Sequence, residues 1–162
     1  MGLEIAFWLL AIVCILAALG VVLLRNVFRA ALSLVLCFLV VAGIYITLSA
    51  DFLAVVQVLI YVGAISVLII LAIMLTREFQ RGSTSNKLRI PALLVAILFL
   101  GAVGFATTNT LWSVSGVSPV MPTTEALALK LFGEGGFILP VEIAAVLLLA
   151  AILGAIVLVR EK

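Results

Sequence analysis

Five long apolar runs divide this chain, and the short stretches between them hold most of its polar and charged residues. A run of about 20 apolar residues can cross the hydrocarbon core of a bilayer as an α-helix. The strands of a membrane barrel would be roughly half as long and would alternate in polarity, which these runs do not. The pattern predicts an all-α integral membrane protein, a single membrane domain of residues 1–162 with transmembrane helices at about residues 3–24, 30–50, 52–75, 90–108 and 138–159.

The composition agrees with this interpretation. Of the 162 residues, 67% are hydrophobic and 10% are charged, and the mean hydropathy is +1.54. A soluble domain of this size could not bury so much apolar surface. The first run is too long for the apolar segment of a signal peptide and has no basic segment before it, so we expect a retained helix and no extra domain at either end.

The linker of residues 109–137 has a pattern of its own. It contains two prolines and, further along the chain, the glycine-rich sequence GEGG. A short stretch with helical character lies between the second proline and GEGG. We predict a short helix at the membrane surface over residues 124–132, with Thr123 or Thr124 as its N-cap.

The basic residues lie almost entirely on one side of the predicted membrane. Of the nine Lys and Arg residues, the first loop holds two, residues 76–89 hold four and the last three residues hold two, so that only Lys130 lies on the other side. Loops rich in Lys and Arg remain in the cytoplasm. We therefore expect the N-terminus and the loop of residues 109–137 outside, and the C-terminus in the cytoplasm.

Residue types that commonly carry chemistry are scarce. Histidine is absent, and the sequence has neither a Walker A motif nor GxGxxG. We therefore expect no catalytic residue, no metal site and no nucleotide site in this chain. Cys14 and Cys37 each lie inside an apolar run without CxxC spacing, and we interpret both as small buried hydrophobic residues.

The third apolar run carries polar residues at its centre. Ala54, Gln57, Tyr61 and Ala64 are separated by three or four residues, so they line one face of an α-helix. Gln57 and Tyr61 are one turn apart and can share a hydrogen bond or a water. An unpaired polar group in hydrocarbon costs on the order of a few kcal/mol, so this face should meet protein or water. A simple hydrogen bond from Tyr61 to a neighbouring helix explains the pattern equally well.

Gly63 is the second unusual feature of this run. Glycine permits a backbone irregularity, and single π turns in helices cluster at functional sites. Close packing by a small residue is the commoner reason for a glycine in a membrane helix. Gly63 lies beside Tyr61 near the middle of the run, and these residues alone leave both interpretations open.

Two acidic residues lie near the ends of spans. Asp51 begins the third span, where it could act as an ordinary N-cap. Glu142 follows Pro140 at the start of the fifth span, where proline suits the first turn. Acids within membrane spans are functional candidates, so we retain both as accessory acids. No acidic residue lies at mid-depth, which argues against a self-contained proton pump.

Three segments resemble a known family. The first loop and the second, third and fifth spans are similar to those of subunit J of bacterial NADH:quinone oxidoreductase (respiratory complex I), the counterpart of mitochondrial subunit 6. Relatives with the same fold use ferredoxin or F420H2 as the electron donor. The segments are RNVFRAALSLVLCFLVVAGIYI, DFLAVVQVLIYVGAISVLIILAIML and ILPVEIAAVLLLAAILGAIVLVREK.

The resemblance implies a core subunit of a proton-pumping assembly in the bacterial plasma membrane. The family's third span has a π-bulge at the stretch that matches Tyr61, Val62 and Gly63, so we predict a π-type turn within residues 60–65 that faces a helix of another subunit. With Gln57 and Ala64, these residues would form a conformational switch beside the water path that couples quinone reduction to proton translocation. The chain would hold no cofactor, since FMN, iron–sulfur clusters and quinone belong to partner subunits. Its partners would be the small subunit K, subunits A, H and N, and the lipid bilayer, but not nucleic acid.

Two other classes of protein remain open at this point. A small transporter that works alone as an oligomer would need an ionisable residue deep in a span, whereas Glu4 lies at the very end of its run. A membrane scaffold without a conducting role would not explain why Gln57, Tyr61 and Gly63 occur on one helix. Co-purification with a large assembly that carries flavin and iron–sulfur signals would separate the complex I interpretation from both.

The distribution of basic residues gives a topology that can be measured. We expect a reporter fused after Lys162 to be active in its cytoplasmic form, because eight of the nine basic residues lie on that side of the membrane. A second fusion within residues 109–137 serves as the control and should report the opposite side. A periplasmic signal from the C-terminal fusion would contradict the predicted orientation.

Overall fold

The computed structural model describes residues 2–76, 88–112 and 123–160, and all of the regular structure in these ranges is helical. Five helices are long and apolar enough to cross a membrane, which confirms the predicted fold class. Most of the basic loop of residues 76–89 lies outside the described residues, as do the final two residues. We number the helices α1 (Gly2–Leu23), α2 (Val27–Thr47), α3 (Asp51–Leu75), α4 (Arg89–Asn109), α5 (Thr123–Phe132) and α6 (Leu139–Val159).

Helix α2 differs most from its predicted bounds, because local hydrogen bonds decide where it begins and ends. Its N-cap is Asn26, whose Oδ1 accepts hydrogen bonds from the backbone N–H groups of Phe28 at 3.0 Å and Arg29 at 3.2 Å. These bonds satisfy donors that would otherwise be free at the helix start. The helix ends at Thr47, and Ser49 adopts a positive φ of 60° in the turn that leads into α3. The second span therefore lies about three residues earlier than the apolar pattern predicts.

Small residues hold α1 close to α2. Ser33 Oγ donates a hydrogen bond across the interface to the carbonyl oxygen of Ala17 at 2.8 Å. Gly20 leaves room for this hydroxyl, because a Cβ atom at position 20 would collide with Ser33 Oγ. Close approach of this kind is the usual way in which helices associate within a membrane.

Cys14 and Cys37 lie on opposite sides of the same interface. Their Sγ atoms are 3.8 Å apart, and both thiols are free. The expectation that they are buried hydrophobic residues needs correction: each is only half-buried, although the two thiols contact each other between α1 and α2.

The predicted short helix is present as α5, which contacts the beginning of α3. Leu127 lines a shared cleft with Phe52 and Leu53. Thr123 is the first residue of α5 rather than its cap, and its buried Oγ1 has no hydrogen-bond partner among the described residues. The prediction of Thr123 or Thr124 as the N-cap is therefore wrong, because the helix begins at Thr123, one residue earlier than expected, and includes both threonines.

Helices α4 and α6 contribute almost no buried surface. None of the described side chains of α4 or α6 is buried, although both helices are long and apolar enough to cross a membrane. Exposed apolar surface on this scale would be unstable in water, but it suits contact with lipid or with other membrane helices. The cohesive part of the described chain therefore consists of α1, α2 and α3.

The close approach of α1 and α2 gives a stability prediction. Gly20→Ala should destabilise the pair by about 1–3 kcal/mol, because the new Cβ atom collides with Ser33 Oγ. The matched control is Gly101→Ala, since a Cβ atom at position 101 of α4 meets nothing within 4 Å. We would measure the thermal midpoint of the purified assembly. Equal midpoints for both variants would contradict the packing argument, whereas Ser33→Ala should partly rescue Gly20→Ala.

Candidate functional site

A nine-residue π-helical segment, Gln57–Ile65, interrupts helix α3. It is preceded by the α-helical turns of Asp51–Val56 and followed by those of Ser66–Leu75. The backbone N–H of Ser66 donates to the carbonyl oxygens of Tyr61 and Gly63, so the i→i+5 pattern continues to the first residue after the segment. The sequence prediction of a π-type turn in the third span is confirmed, and the π segment begins about one turn earlier than predicted.

The π segment rotates the second half of α3 relative to the first. In a continuous α-helix, nine residues advance about 900°, which would place Ser66 on the side opposite Gln57. Each π turn takes up nearly one residue more than an α turn, so two π turns remove about half a revolution. Gln57 and Ser66 are accordingly both buried, with 8% and 2% of their surfaces exposed. The π segment therefore brings two polar residues nine positions apart to the protein side of the helix.

Gln57 and Tyr61 both contact Phe38 of α2. Gln57 Nε2 donates a long hydrogen bond of 3.4 Å to the carbonyl oxygen of Phe38. The rings of Tyr61 and Phe38 meet edge to face, with centroids 5.3 Å apart and an interplanar angle of 62°. The amide therefore finds its partner on a neighbouring helix of the same chain, and no hydrogen bond links Gln57 to Tyr61 within the described part of the chain.

The predicted common face of Ala54, Gln57, Tyr61 and Ala64 does not persist through the segment. Ala54 and Gln57 are buried, whereas Tyr61 is 42% exposed and Ala64 is exposed. The prediction of a single face is wrong for Ala64 because it assumed the α-helical period, and the π turns displace Ala64 from the side that packs on α2. Tyr61 lies at the edge of that side, where its ring still meets Phe38.

The exposed side of the π segment includes Gly63. A Cβ atom built at Gly63 would lie 3.4 Å from the carbonyl oxygen of Val58, which is an ordinary contact. Val62 is half-buried, and both Gly63 and Ala64 face outward. Gly63 therefore does not serve close packing between the helices of this chain, and alanine would fit the π geometry where a branched side chain would crowd Val58.

Ser66 is the residue at this site that the sequence pattern did not identify. Its Oγ donates to the carbonyl oxygen of Tyr61 at 2.6 Å, the same oxygen that receives the backbone N–H of Ser66. A serine in an apolar run has no distinctive spacing from Gln57 when α-helical periodicity is assumed. The spacing becomes meaningful only once the π geometry is known.

Asp51 and Glu142 lie at the starts of separate helices. The N-cap position of α3 is Ala50, with no side-chain cap, so Asp51 is a residue of the first turn and not a cap. Glu142 is exposed in the first turn of α6. Within the described ranges, no hydrogen bond or ion pair joins either carboxylate to another side chain, so the structure does not bring these two acids together.

An apolar groove of about 470 Å³ extends between α2 and α3 from Asp51 toward the π segment. Its lining consists of small and branched residues, with one carboxylate among them. The groove gives no support for metal binding. In residues 2–76, 88–112 and 123–160, no three Cys, Asp or Glu side chains lie close enough together to hold a metal ion. The groove is formed by Ala42, Ile46, Asp51, Ala54, Val55, Val58 and Leu59.

Comparison with known proteins places these features in a family. Residues 17–158 match the family model described as NADH-ubiquinone/plastoquinone oxidoreductase chain 6. The chain is 39% identical to F(420)H(2) dehydrogenase subunit J of Methanosarcina mazei, over 96% of this chain and 90% of that protein. It is 40% identical to NAD(P)H-quinone oxidoreductase chain 6 of Leptolyngbya boryana, over 98% of this chain and 80% of the relative. The corresponding chain 6 of Synechocystis sp. is 42% identical, with 97% and 80% covered.

The resemblance to this family that the second, third and fifth spans indicate therefore extends over nearly the whole sequence. The chain belongs to the NADH-ubiquinone/plastoquinone oxidoreductase chain 6 family.

Proposed function

We propose that this chain is the membrane subunit that couples quinone reduction to proton translocation in a proton-pumping NADH:quinone oxidoreductase. The observation that carries the proposal is the π segment Gln57–Ile65 at the centre of a membrane span. A π segment keeps its backbone groups hydrogen-bonded, so the helix can change its winding without exposing them to lipid. Such a helix can act as a two-state element for a distant reaction.

The proposed movement is a change of Gln57–Ile65 between π and α winding. The hydrogen bond from Gln57 to Phe38 O holds the first half of α3 on α2, so rewinding turns the second half. This rotation would move Tyr61, Gly63 and Ala64 relative to α2 and to a neighbouring subunit. A water path along the third helix would open in one state and close in the other, with the phenol of Tyr61 at its edge.

The electron chemistry belongs to other subunits in this proposal. FMN, iron–sulfur clusters and quinone would be held by partner chains, and this subunit would have no catalytic residue of its own. The neighbours proposed are the small subunit K, beside α3, and subunits A, H and N. We place the assembly in the bacterial plasma membrane with the C-terminus in the cytoplasm. Asp51 and Glu142 would then lie near the outer surface as accessory acids.

A second candidate is the same role in an assembly driven by F420H2. The relative from Methanosarcina mazei is named as a subunit of F(420)H(2) dehydrogenase, and it aligns over 96% of this chain. The membrane subunit need not differ between the two, because the donor binds elsewhere in the assembly. Purified assembly supplied with NADH or with reduced F420 in separate assays would distinguish the two donors.

The lack of a resident redox group predicts inactivity in isolation. We expect the purified single chain to show no NADH oxidation and no quinone reduction, whereas the assembly that contains it should perform both. The exposed apolar surfaces of α4 and α6 should also make the single chain prone to aggregation. Turnover by the isolated chain, after removal of traces of the assembly, would contradict the proposed division of roles.

Gly63→Val tests the switch. Valine should disfavour the π state, because its γ-methyl groups would crowd Val58 O, which is already 3.4 Å from a Cβ atom at position 63. We expect quinone-linked proton pumping to fall at least about tenfold, for a bias of roughly 1.4 kcal/mol or more. NADH oxidation by an artificial acceptor at the peripheral arm should remain normal.

Three variants control this experiment. Gly63→Ala should be milder, since its Cβ atom makes only an ordinary contact, and Tyr61→Phe should also be milder because it retains the ring that packs on Phe38. Gly101→Val places the same side chain in open space on α4. If Gly63→Val assembles and pumps at the normal rate and proton-to-electron ratio, the switch hypothesis is wrong.

A further inference from the structure

The second half of α3 has two different faces that could pack on α2. In the observed π register, the side toward α2 includes Ser66, which is buried, and Ile69 and Ile73, which are half-buried. Ile69 and Ile73 share a cleft with Val27 at the start of α2. Steps of three and four residues connect these positions, so the face is continuous after the π segment.

A second face is visible when the α-helical period is continued from Gln57. It passes through Tyr61, Ala64, Leu68 and Leu71, again in steps of three and four. Of these residues, Tyr61 lies at the edge of the interface against Phe38, whereas Ala64, Leu68 and Leu71 are exposed, Leu68 by 65%. Because the helix is apolar on all sides, rewinding to α would exchange one apolar face for another.

We propose that Ser66 is the positioning residue that selects the π register of α3. Only 2% of its surface is exposed, so the space between α3 and α2 at this point accepts a side chain of about the size of serine. In the α register, the same residue would turn about half a revolution away from α2, and Ala64 and Leu68 would replace it. A larger side chain at position 66 should therefore destabilise the π register and leave the stability of the α register unchanged.

The hydroxyl of Ser66 has a secondary role. It donates to Tyr61 O at 2.6 Å in the π register. In an α-helix, a serine hydroxyl commonly finds an equivalent acceptor four residues earlier. The hydrogen bond is therefore available in both states, and packing volume is what distinguishes them. Ser66→Ala should accordingly keep the π register.

The test first enlarges the side chain at position 66 and then exchanges the residues at positions 66 and 68, which lie on the two different faces. Ser66→Leu should overfill the interface in the π register and shift the ratio of α to π winding at residues 57–65 by about tenfold or more. The double variant Ser66→Leu/Leu68→Ser keeps the composition and places the small hydroxyl residue on the α-register face. This double variant should favour α winding at least as strongly as Ser66→Leu alone. Val67→Leu is the control, because Val67 is 52% exposed on the same helix.

The measurement is electron cryomicroscopy of the whole purified assembly, with particles classified by the winding of residues 57–65. Ser66→Ala and Val67→Leu should match the unmodified protein. Unchanged π winding in both the single and the double leucine variants would overturn the proposal. Failure of both variants to assemble would also overturn it, since the α register should accommodate each of them.

This inference deepens the proposed switch, but its test separates the two. Proton pumping with NADH is measured on the same samples, with reduced F420 as the second donor. If winding changes while pumping per electron stays normal, Ser66 sets the register and the proposed coupling role fails. If residues 57–65 keep π winding in both leucine variants, the proposed role of Ser66 fails. If Gly63→Val nevertheless abolishes proton pumping, the proposed coupling role of this subunit stands.

Discussion

The hydrogen bonding of the backbone inside a bilayer is the constraint on which this structure depends. Lipid offers no partner for a free N–H or carbonyl group, so a spanning helix cannot simply unwind at its centre. The π segment of α3 is a distortion that respects this constraint, because Ser66 N–H and Oγ both bond to Tyr61 O at its end. The molecule therefore has an irregular helix without exposing an irregular backbone.

The same constraint explains why rotation is the movement available to α3. Changing i→i+5 bonds to i→i+4 bonds keeps nearly every donor paired, but it alters the twist accumulated over Gln57–Ile65. One end is attached to α2 through Gln57 and Phe38. The accumulated twist must then appear in Ser66–Leu75, whose side chains are almost entirely aliphatic and are suited to more than one packing arrangement.

The amino-acid sequence predicts the spans well because bilayer thickness imposes a length that composition reveals directly. Gly63 beside Tyr61 permitted a π turn in the third span, but the resemblance to the family was needed to predict it, because close packing explains a single glycine as well. Assuming the α-helical period through this segment gave a wrong result. It placed Ala64 on the same face as Gln57 and gave no reason to connect Gln57 with Ser66. The partner of Gln57 could not be predicted either, because Phe38 contributes a backbone carbonyl, which no side-chain pattern marks.

The division between packed and exposed helices gives the switch its mechanical setting. α1 and α2 are held together by a serine hydrogen bond and a glycine contact, which leave little freedom between them. α3 packs on α2 on one side, and its exposed side carries Gly63 and Ala64, with Tyr61 at the edge. A movable helix needs both a rigid reference and a surface that another subunit can bias. In this chain, α2 provides the reference, and the exposed side of the π segment is the part of α3 on which a neighbouring helix could act.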